Sequence, residues 1–292
     1  FNRAIQGVYE MGSTFKIFSV AQGLDENLFD LNTTFNTEPF FVGKKKFKDK
    51  FDFDREVTVR EIIVRSSNVG SARIALELGK ESQKKILKKL GLLDPVPFEL
   101  REARLTNPLN PPDWKPLTLA TVSFGHSISV SLLHLARAYA ILTNGGFDVK
   151  PTIIKKYEDK DERRRILRKE TSQKVLELLE AVVEDERGTG RAANSNYYGI
   201  GGKTGTADKP SKKNRGYLEE NVISNFAGVF PIENPRYVIV ALLDEPENTF
   251  KEKTCRFSGC TVVPMVKQII ERIGPLLGIL PYENGRKNRL DS

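Results

Sequence analysis

Ser13-Thr14-Phe15-Lys16, Ser66-Ser67-Asn68 and Lys203-Thr204-Gly205-Thr206 follow one another along 292 residues. The chemistry that each supplies is useful only where the others are. Together they offer a hydroxyl nucleophile, an amine to deprotonate it, a relay hydroxyl, an amide for docking and a cation for a carboxylate, the components of covalent acyl transfer. A fold that uses them must bring a helix, an inter-helix turn and a strand edge to one point.

Each motif has its own physical logic. The apolar positions Phe15, Ile17, Phe18, Val20, Ala21 and Leu24 predict a largely buried helix over Met11–Leu24. On it Ser13 and Lys16 stand one turn apart on one face. A free lysine is a poor base near neutrality, and bringing its pKa near 7 takes about 4–5 kcal/mol of destabilisation of the cation. Burial and a second nearby cation both act in that direction, and Lys203 is the natural second cation. Gly12 is expected to let a substrate approach the backbone. A Ser-x-x-Lys pattern alone is weak, because Ser82-Gln83-Lys84-Lys85 repeats it on a lysine-rich helix, after the Ser-x-Asn motif instead of before it. That copy reads as solvated surface.

Ser66-Ser67-Asn68 joins two helices read over Thr58–Arg65 and Val69–Leu78. A helix cap at Ser67 or Asn68 explains such a turn equally well. A functional reading gives Ser66 the proton relay and Asn68 the substrate amide. Lys203-Thr204-Gly205-Thr206 is the most specific of the three. Side chains alternate along a strand, so Lys203 and Gly205 face one way, Thr204 and Thr206 the other. Gly205 suits a substrate lying along the edge, and Lys203 with the threonine hydroxyls suits a terminal carboxylate. A phosphate loop is rejected, because Tyr197 stands where its first glycine belongs.

The length suffices for one large domain with a full core. Its net charge of +8 is concentrated at Lys44–Lys50, Arg163–Lys169 and Arg286–Arg289. Solvated surface accounts for most of it; attraction to an anionic membrane or a pyrophosphate-bearing substrate is the sharper reading. Few aromatics interleave with these segments, which argues against nucleic acid. The longest apolar run, Val238–Leu243, is too short to span a bilayer. Cys255 and Cys260 have no Cys/His partners at zinc spacing, and His126 and His134 lie far from them, so neither metal nor cofactor is expected. A short-loop disulfide and two reduced thiols fit the spacing equally.

The pass along the chain predicts an extended segment over Asn32–Phe53, an amphipathic stretch at Glu81–Leu90 and a loop over Pro95–Pro116. A helix over Ser131–Thr143 ends at Asn144-Gly145-Gly146. A charged hairpin is expected around Glu158–Arg163, and a helix over Thr171–Val183 with Thr171 as its cap. Strands over Gly199–Thr206, Val222–Phe230 and Tyr237–Leu243 have short links and precede a helix opened by Pro264. Helices first and antiparallel strands last give an α+β fold.

The ordered motifs carry a resemblance. Ser-x-x-Lys, Ser-x-Asn and Lys-Thr-Gly are the signature set of penicillin-binding proteins and serine β-lactamases. With Asn2-Arg3-Ala4, Tyr9 to Ser13, Ser66 to Gly70, Ser123-Phe124-Gly125, Leu135 to Tyr139, Gly188-Thr189-Gly190 and Val263-Pro264, the chain resembles the transpeptidase domain of class B penicillin-binding proteins. The septal, cell-division type is closest. The resemblance implies a penicillin-binding-protein/serine-β-lactamase-like fold, an antiparallel sheet packed by helices with a mainly helical lobe, spanning residues 1–292.

It implies a D,D-transpeptidase. Ser13 attacks the D-Ala-D-Ala carbonyl of a peptidoglycan stem peptide, and a neighbouring strand's amine then resolves the acyl-enzyme. Lys16 is the base, Ser66 the relay and Asn68 the peptide holder. Lys203, Thr204, Gly205 and Thr206 form the carboxylate-binding edge. The Ser13 and Thr206 backbone N–H groups form the oxyanion hole. β-Lactams acylate Ser13 as substrate mimics. The resemblance further implies a periplasmic location on the bacterial inner membrane. An N-terminal anchor, a pedestal and some strands would lie outside this chain, and through that region a glycan polymerase and divisome proteins would be partners. Without those strands, Tyr237–Leu243 is expected to be an exposed edge.

Two departures stand out. Gly125-His126-Ser127 replaces the usual Gly-x-Gly, and Ser258-Gly259-Cys260 replaces Thr-Gly-Gly. A β-lactamase and a non-catalytic β-lactam sensor are the competing readings. The first requires a deacylating group that no glutamate motif supplies, and the second a signalling membrane segment.

Overall fold

The computed structural model of this chain describes residues 1–155, 164–210, 217–250 and 253–282. The hairpin expected around 158–163 and the basic tail at 286–289 fall outside the described residues.

Helix α1 (Lys16–Asp25) continues directly from a 3-10 turn at Gly12–Phe15. Four short strands follow: β1 (Thr34–Asn36), β2 (Phe40–Val42), β3 (Lys45–Phe47) and β4 (Glu56–Thr58). β1 pairs antiparallel with β4, and β2 with β3, so the extended segment is two small ribbons, one inside the other. Helix α2 (Val59–Val64) opens on a capping box in which the Thr58 hydroxyl accepts from the Glu61 N–H and the Glu61 carboxylate accepts from the Thr58 N–H.

Helix α3 (Asn68–Lys89) is two helical stretches meeting at Gly79, whose φ of 75° and ψ of 177° are non-helical. These are the Val69–Leu78 and Glu81–Leu90 segments of the sequence reading. Helix α4 (Arg101–Leu105) interrupts the proline-rich loop, and α5 (Pro116–Val122) leaves it with proline at its first position. Helix α6 (Leu132–Thr143) is capped by the Ser131 side chain, as its sequence requires. Helix α7 (Lys169–Glu184) starts earlier than expected. Thr171 is not its cap; the Thr171 hydroxyl donates to Asp25 Oδ1 at 2.9 Å.

The main sheet is β5 (Gly201–Pro210), β6 (Tyr217–Phe230) and β7 (Tyr237–Asp244), antiparallel in that order, with β7 at one margin. A ribbon of β8 (Asn248–Phe250) and β9 (Lys253–Cys255) leads to the last helix, α8 (Val262–Ile273). Pro264 lies within the first turn of α8, not at its start.

The period-two alternation of the main sheet gives it a separate core on each face. Ala227, Val229, Val238, Val240 and Leu242 face the larger one, with Phe18, Ala21 and Leu24 of α1, Tyr139 and Leu142 of α6, and Leu178 and Val182 of α7. Phe226, Phe230, Ile239 and Leu243 face the smaller one, with Val262, Val266 and Ile270 of α8. A third, still smaller cluster of Phe47, Val69, Ala72, Ala120 and Phe124 lies in the helical lobe. The chain is thus α+β, with a sheet covered on both faces and a helical lobe formed by its first two thirds. β7 is the edge strand expected: among the described residues it pairs only with β6, while most of its side chains are half-buried against these helices.

Candidate active site

The Gly12–Phe15 turn lies against β5. Both glycines at the junction are dictated by that approach. Gly12 has a φ of +59°, and a Cβ on it would stand 2.6 Å from the Thr206 carbonyl oxygen. A Cβ on Gly205 would stand 2.2 Å from the Met11 carbonyl oxygen. The sequence reading assigns both glycines to substrate approach; in the structure they bring the serine's own turn to the strand. Gly125 completes the contact, with a φ of +76° and a would-be Cβ 2.2 Å from the Gly12 carbonyl oxygen. Its partner Ser127 takes a φ of +64° where the resemblance expects glycine. The Ser127 N–H donates to Glu10 Oε1 at 2.7 Å, and its hydroxyl pairs with Thr121 at 3.0 Å.

The turn is pinned twice more. Asn225 on β6 is fully buried and donates from Nδ2 to the Met11 carbonyl at 3.0 Å, and the Tyr139 hydroxyl donates to the Thr14 carbonyl at 2.9 Å.

From this frame Lys16 and Lys203 project into one buried space, each 0% exposed. Lys16 Nζ donates to Ser66 Oγ at 3.0 Å and to the Ser66 carbonyl at 2.5 Å, and Lys203 Nζ donates to the same Ser66 Oγ at 3.0 Å. Ser66 holds a left-handed φ of +65°, a conformation that costs a non-glycine residue of order 1–3 kcal/mol and concentrates at functional sites. Burial lowers the Lys16 pKa from 10.5 to about 7, against an opposing pull from Asp49. Burial, then the nearby Lys16 charge, lower Lys203 as well. The two amines titrate as a pair. Desolvation is the dominant cause for both; at Lys203 the Lys16 charge adds to it, and at Lys16 the Asp49 charge opposes it.

Ser13 is half-buried at the head of α1, and among the described residues its hydroxyl makes no hydrogen bond. Its expected base is engaged on Ser66 instead. Asn68, half-buried, is the first residue of α3.

Sequence reasoning missed the group that organises this helix end. Asp49, from the β3–β4 connection, accepts from the Ser67 hydroxyl at 2.6 Å and from the Asn68 and Val69 N–H groups at 2.5 and 3.2 Å. Ser67 also caps in its own right, accepting from the Gly70 N–H at 2.9 Å. The helix-cap reading of Ser66-Ser67-Asn68 is therefore met at Ser67, while the Ser66 hydroxyl stands between the two lysine amines.

Along β5, the buried Thr204 donates its hydroxyl hydrogen to Thr189 Oγ1 at 2.8 Å and lies 3.4 Å from Lys203 Nζ. Thr206 is half-buried beside Gly12, with its Oγ1 2.9 Å from Ser258 Oγ. The second Ser-x-x-Lys copy joins none of this: the Ser82 hydroxyl and the Lys85 amine both donate to the Glu26 carboxylate, at 3.0 Å each. Among the described residues no cluster of His, Cys, Asp and Glu suits a metal ion. His134 is instead buried between Ser131 Oγ and the Asp94 carbonyl.

The sequence that builds this site matches a known family model. Residues 1–270 fit that of the penicillin binding protein transpeptidase domain. This chain belongs to that family.

The transpeptidase domain is 37% identical over 286 residues to the probable peptidoglycan D,D-transpeptidase FtsI of Caulobacter vibrioides, covering 95% of this chain and 48% of that protein. It is 33% identical over 282 residues to the probable peptidoglycan D,D-transpeptidase PenA of Neisseria meningitidis, covering 96% and 46%. The chain thus spans about half the length of these curated relatives. Among solved structures, the transpeptidase domain of Burkholderia pseudomallei penicillin-binding protein 3 superposes with a TM-score of 0.82 at 30% identity, covering 96% of this chain and 83% of that one. Penicillin binding protein 3 of Mycobacterium tuberculosis, complexed with aztreonam, gives 0.84 at 25% identity, covering 97% and 66%. The class B, septal-type resemblance and the α+β fold both stand.

Proposed function

We propose that this transpeptidase domain cross-links peptidoglycan stem peptides through an ester on Ser13, in septal wall synthesis. The observation that carries the proposal is the convergence of two buried lysine amines on one hydroxyl, Ser66 Oγ.

In the reaction Ser13 Oγ forms a bond to the penultimate D-Ala carbonyl carbon. Its proton passes to the neutral Lys16 amine, which swings from Ser66 to reach it. The backbone N–H groups of Ser13 and Thr206 receive the negative charge that develops on the carbonyl oxygen. As the C–N bond breaks, the departing D-Ala amine takes a proton from Lys16 through Ser66 Oγ. Lys203 and the Thr204–Thr206 strand hold the donor's terminal carboxylate. That anion favours the charged form of Lys203 and so leaves Lys16 the neutral partner. An acceptor amine, with Asn68 holding the peptide, then attacks the ester carbon and gives a proton to Lys16; as the ester C–O bond breaks, Lys16 returns that proton to Ser13 Oγ and the new amide is released. β-Lactams enter as mimics of the donor.

The curated relatives extend beyond the matched half, so an N-terminal anchor, a periplasmic position and contacts with a glycan polymerase and divisome proteins belong to this proposal as well. No helix among the described residues is long and apolar enough to cross a membrane.

Intact mass after exposure to a fluorescent penicillin, followed by peptide mapping, tests the nucleophile. One adduct on Ser13 is expected, persisting for minutes or longer, and none in Ser13→Ala. An adduct elsewhere refutes the assignment, and turnover within seconds favours a β-lactamase.

A further inference from the structure

The disulfide between Cys255 and Cys260 closes a small ring around Arg256, Phe257, Ser258 and Gly259. This settles the pairing that the spacing alone leaves open. The ring is seated on the β5–β6 pair at one register position, where Thr206 lies opposite Ser224. The Ser224 hydroxyl donates to the Arg256 carbonyl at 2.6 Å. On the other strand Ser258, 1% exposed, bonds Thr206 twice: its N–H donates to Thr206 Oγ1 at 3.2 Å, and the two hydroxyl oxygens lie 2.9 Å apart.

Hydrogen accounting fixes the direction of the second bond. The single Ser258 hydroxyl hydrogen goes to the Gly205 carbonyl, which can only accept. Thr206 must therefore donate to Ser258 Oγ. Its hydroxyl hydrogen is spent on Ser258, and a substrate carboxylate at this strand engages that hydroxyl only by exchanging the bond. The side chain of Thr206 and the carbonyl of Gly205 are both fastened to the ring. The Thr206 backbone faces Gly12, next to the nucleophile.

We propose that Ser258 is a positioning residue for the acylation step, and that the Cys255–Cys260 ring holds it in place. It acts by fixing the strand that presents the Thr206 N–H to the reacting carbonyl. This rests on the oxyanion role given to Thr206 above. The observations behind it belong to this chain, which carries Ser258-Gly259-Cys260 where the resemblance expects Thr-Gly-Gly. A donor displaced by a fraction of an ångström loses much of its worth at a developing oxyanion. The ring must therefore act on the covalent step more than on initial binding.

The test measures penicillin acylation by stopped-flow, separating the initial dissociation constant from the first-order acylation rate. It compares the native protein, the protein reduced by a phosphine, Ser258→Ala, and Ser258→Ala reduced. Circular dichroism and the thermal midpoint are followed in all four. Ser258→Ala and reduction are each expected to slow acylation about tenfold, the worth of one hydrogen bond, with little change in the dissociation constant. Reduction of Ser258→Ala should add nothing, because the ring acts through that hydroxyl.

Three results would overturn the proposal. These are an unchanged acylation rate in Ser258→Ala, an effect confined to the dissociation constant, or equal slowing by reduction with and without Ser258. Loss of fold on reduction would show a purely structural clamp and would also overturn it. Absence of any Ser13 adduct in the untreated protein would instead count against the underlying reading.

Discussion

Lys16 and Lys203, distant along the chain, donate to one oxygen atom, Ser66 Oγ, from 3.0 Å each. Two ammonium groups so close and so buried repel one another and lack water to screen them. The arrangement favours the loss of one proton. With Lys16 near 7, the neutral base is scarce in acid and abundant in mild alkali. The acylation rate by a fluorescent penicillin should therefore rise with pH and level off above about 7. A flat profile between pH 5 and 9 would deny Lys16 the role of base.

Asp49 works on both the helix and the amine. Its carboxylate raises the Lys16 pKa, so Asp49→Asn should move the rising limb of that profile to lower pH. The same change weakens three hydrogen bonds at the start of α3. Thermal unfolding should show a loss of about 1–2 kcal/mol, the usual worth of a helix cap.

Gly12→Ala introduces a methyl group into the Thr206 carbonyl and a side chain at a φ of +59°. Separation of the nucleophile turn from β5 should cut acylation by at least about 100-fold, since a displacement near 1 Å suffices for that loss. Gly43 is the control: its φ is +61°, but nothing lies within 4 Å of a Cβ there. Gly43→Ala should cost about 1–2 kcal/mol of stability and leave the acylation rate unaltered.

Ser82→Ala removes a hydroxyl that binds only Glu26 on the protein's outer face. Acylation kinetics should match the unmodified protein, with stability changed by less than about 1 kcal/mol. A slowed reaction would place this second Ser-x-x-Lys copy in the mechanism after all.

The contrast between Ser13 and Ser82 shows what can be read locally. Both have a lysine three residues on, but only Ser13 has apolar flanks and a preceding glycine, and only its lysine is buried. Order along the chain added the rest. Strand alternation was equally legible, because Phe226 and Ala227 separate into different cores by the plain geometry of a pleat. Asp49 was not legible. A carboxylate that caps a helix starting 19 residues later leaves no short-range pattern, since capping motifs are read within one turn. Ser258 was seen only as a departure from a family pattern, and the partners that give it a role lie on another strand. The packing role of Gly12 and Gly205 was likewise hidden: from sequence a bare backbone invites a ligand, and here each also admits the other's strand or turn.

By itself, then, the amino-acid order determined most of the elements, because periodicity and capping act over a few neighbours, and its ordered motifs carried the resemblance to the family and to the residues proposed for acyl transfer. Tertiary structure alone decided that the two lysines share a single acceptor, that Asp49 opposes the depression of Lys16, and that Cys255 and Cys260 lock Ser258 onto Thr206. Those outcomes depend on burial and on distances of about 3 Å between segments far apart in the chain. Desolvation and hydrogen-bond pairing at such points arise only once the chain has closed on itself.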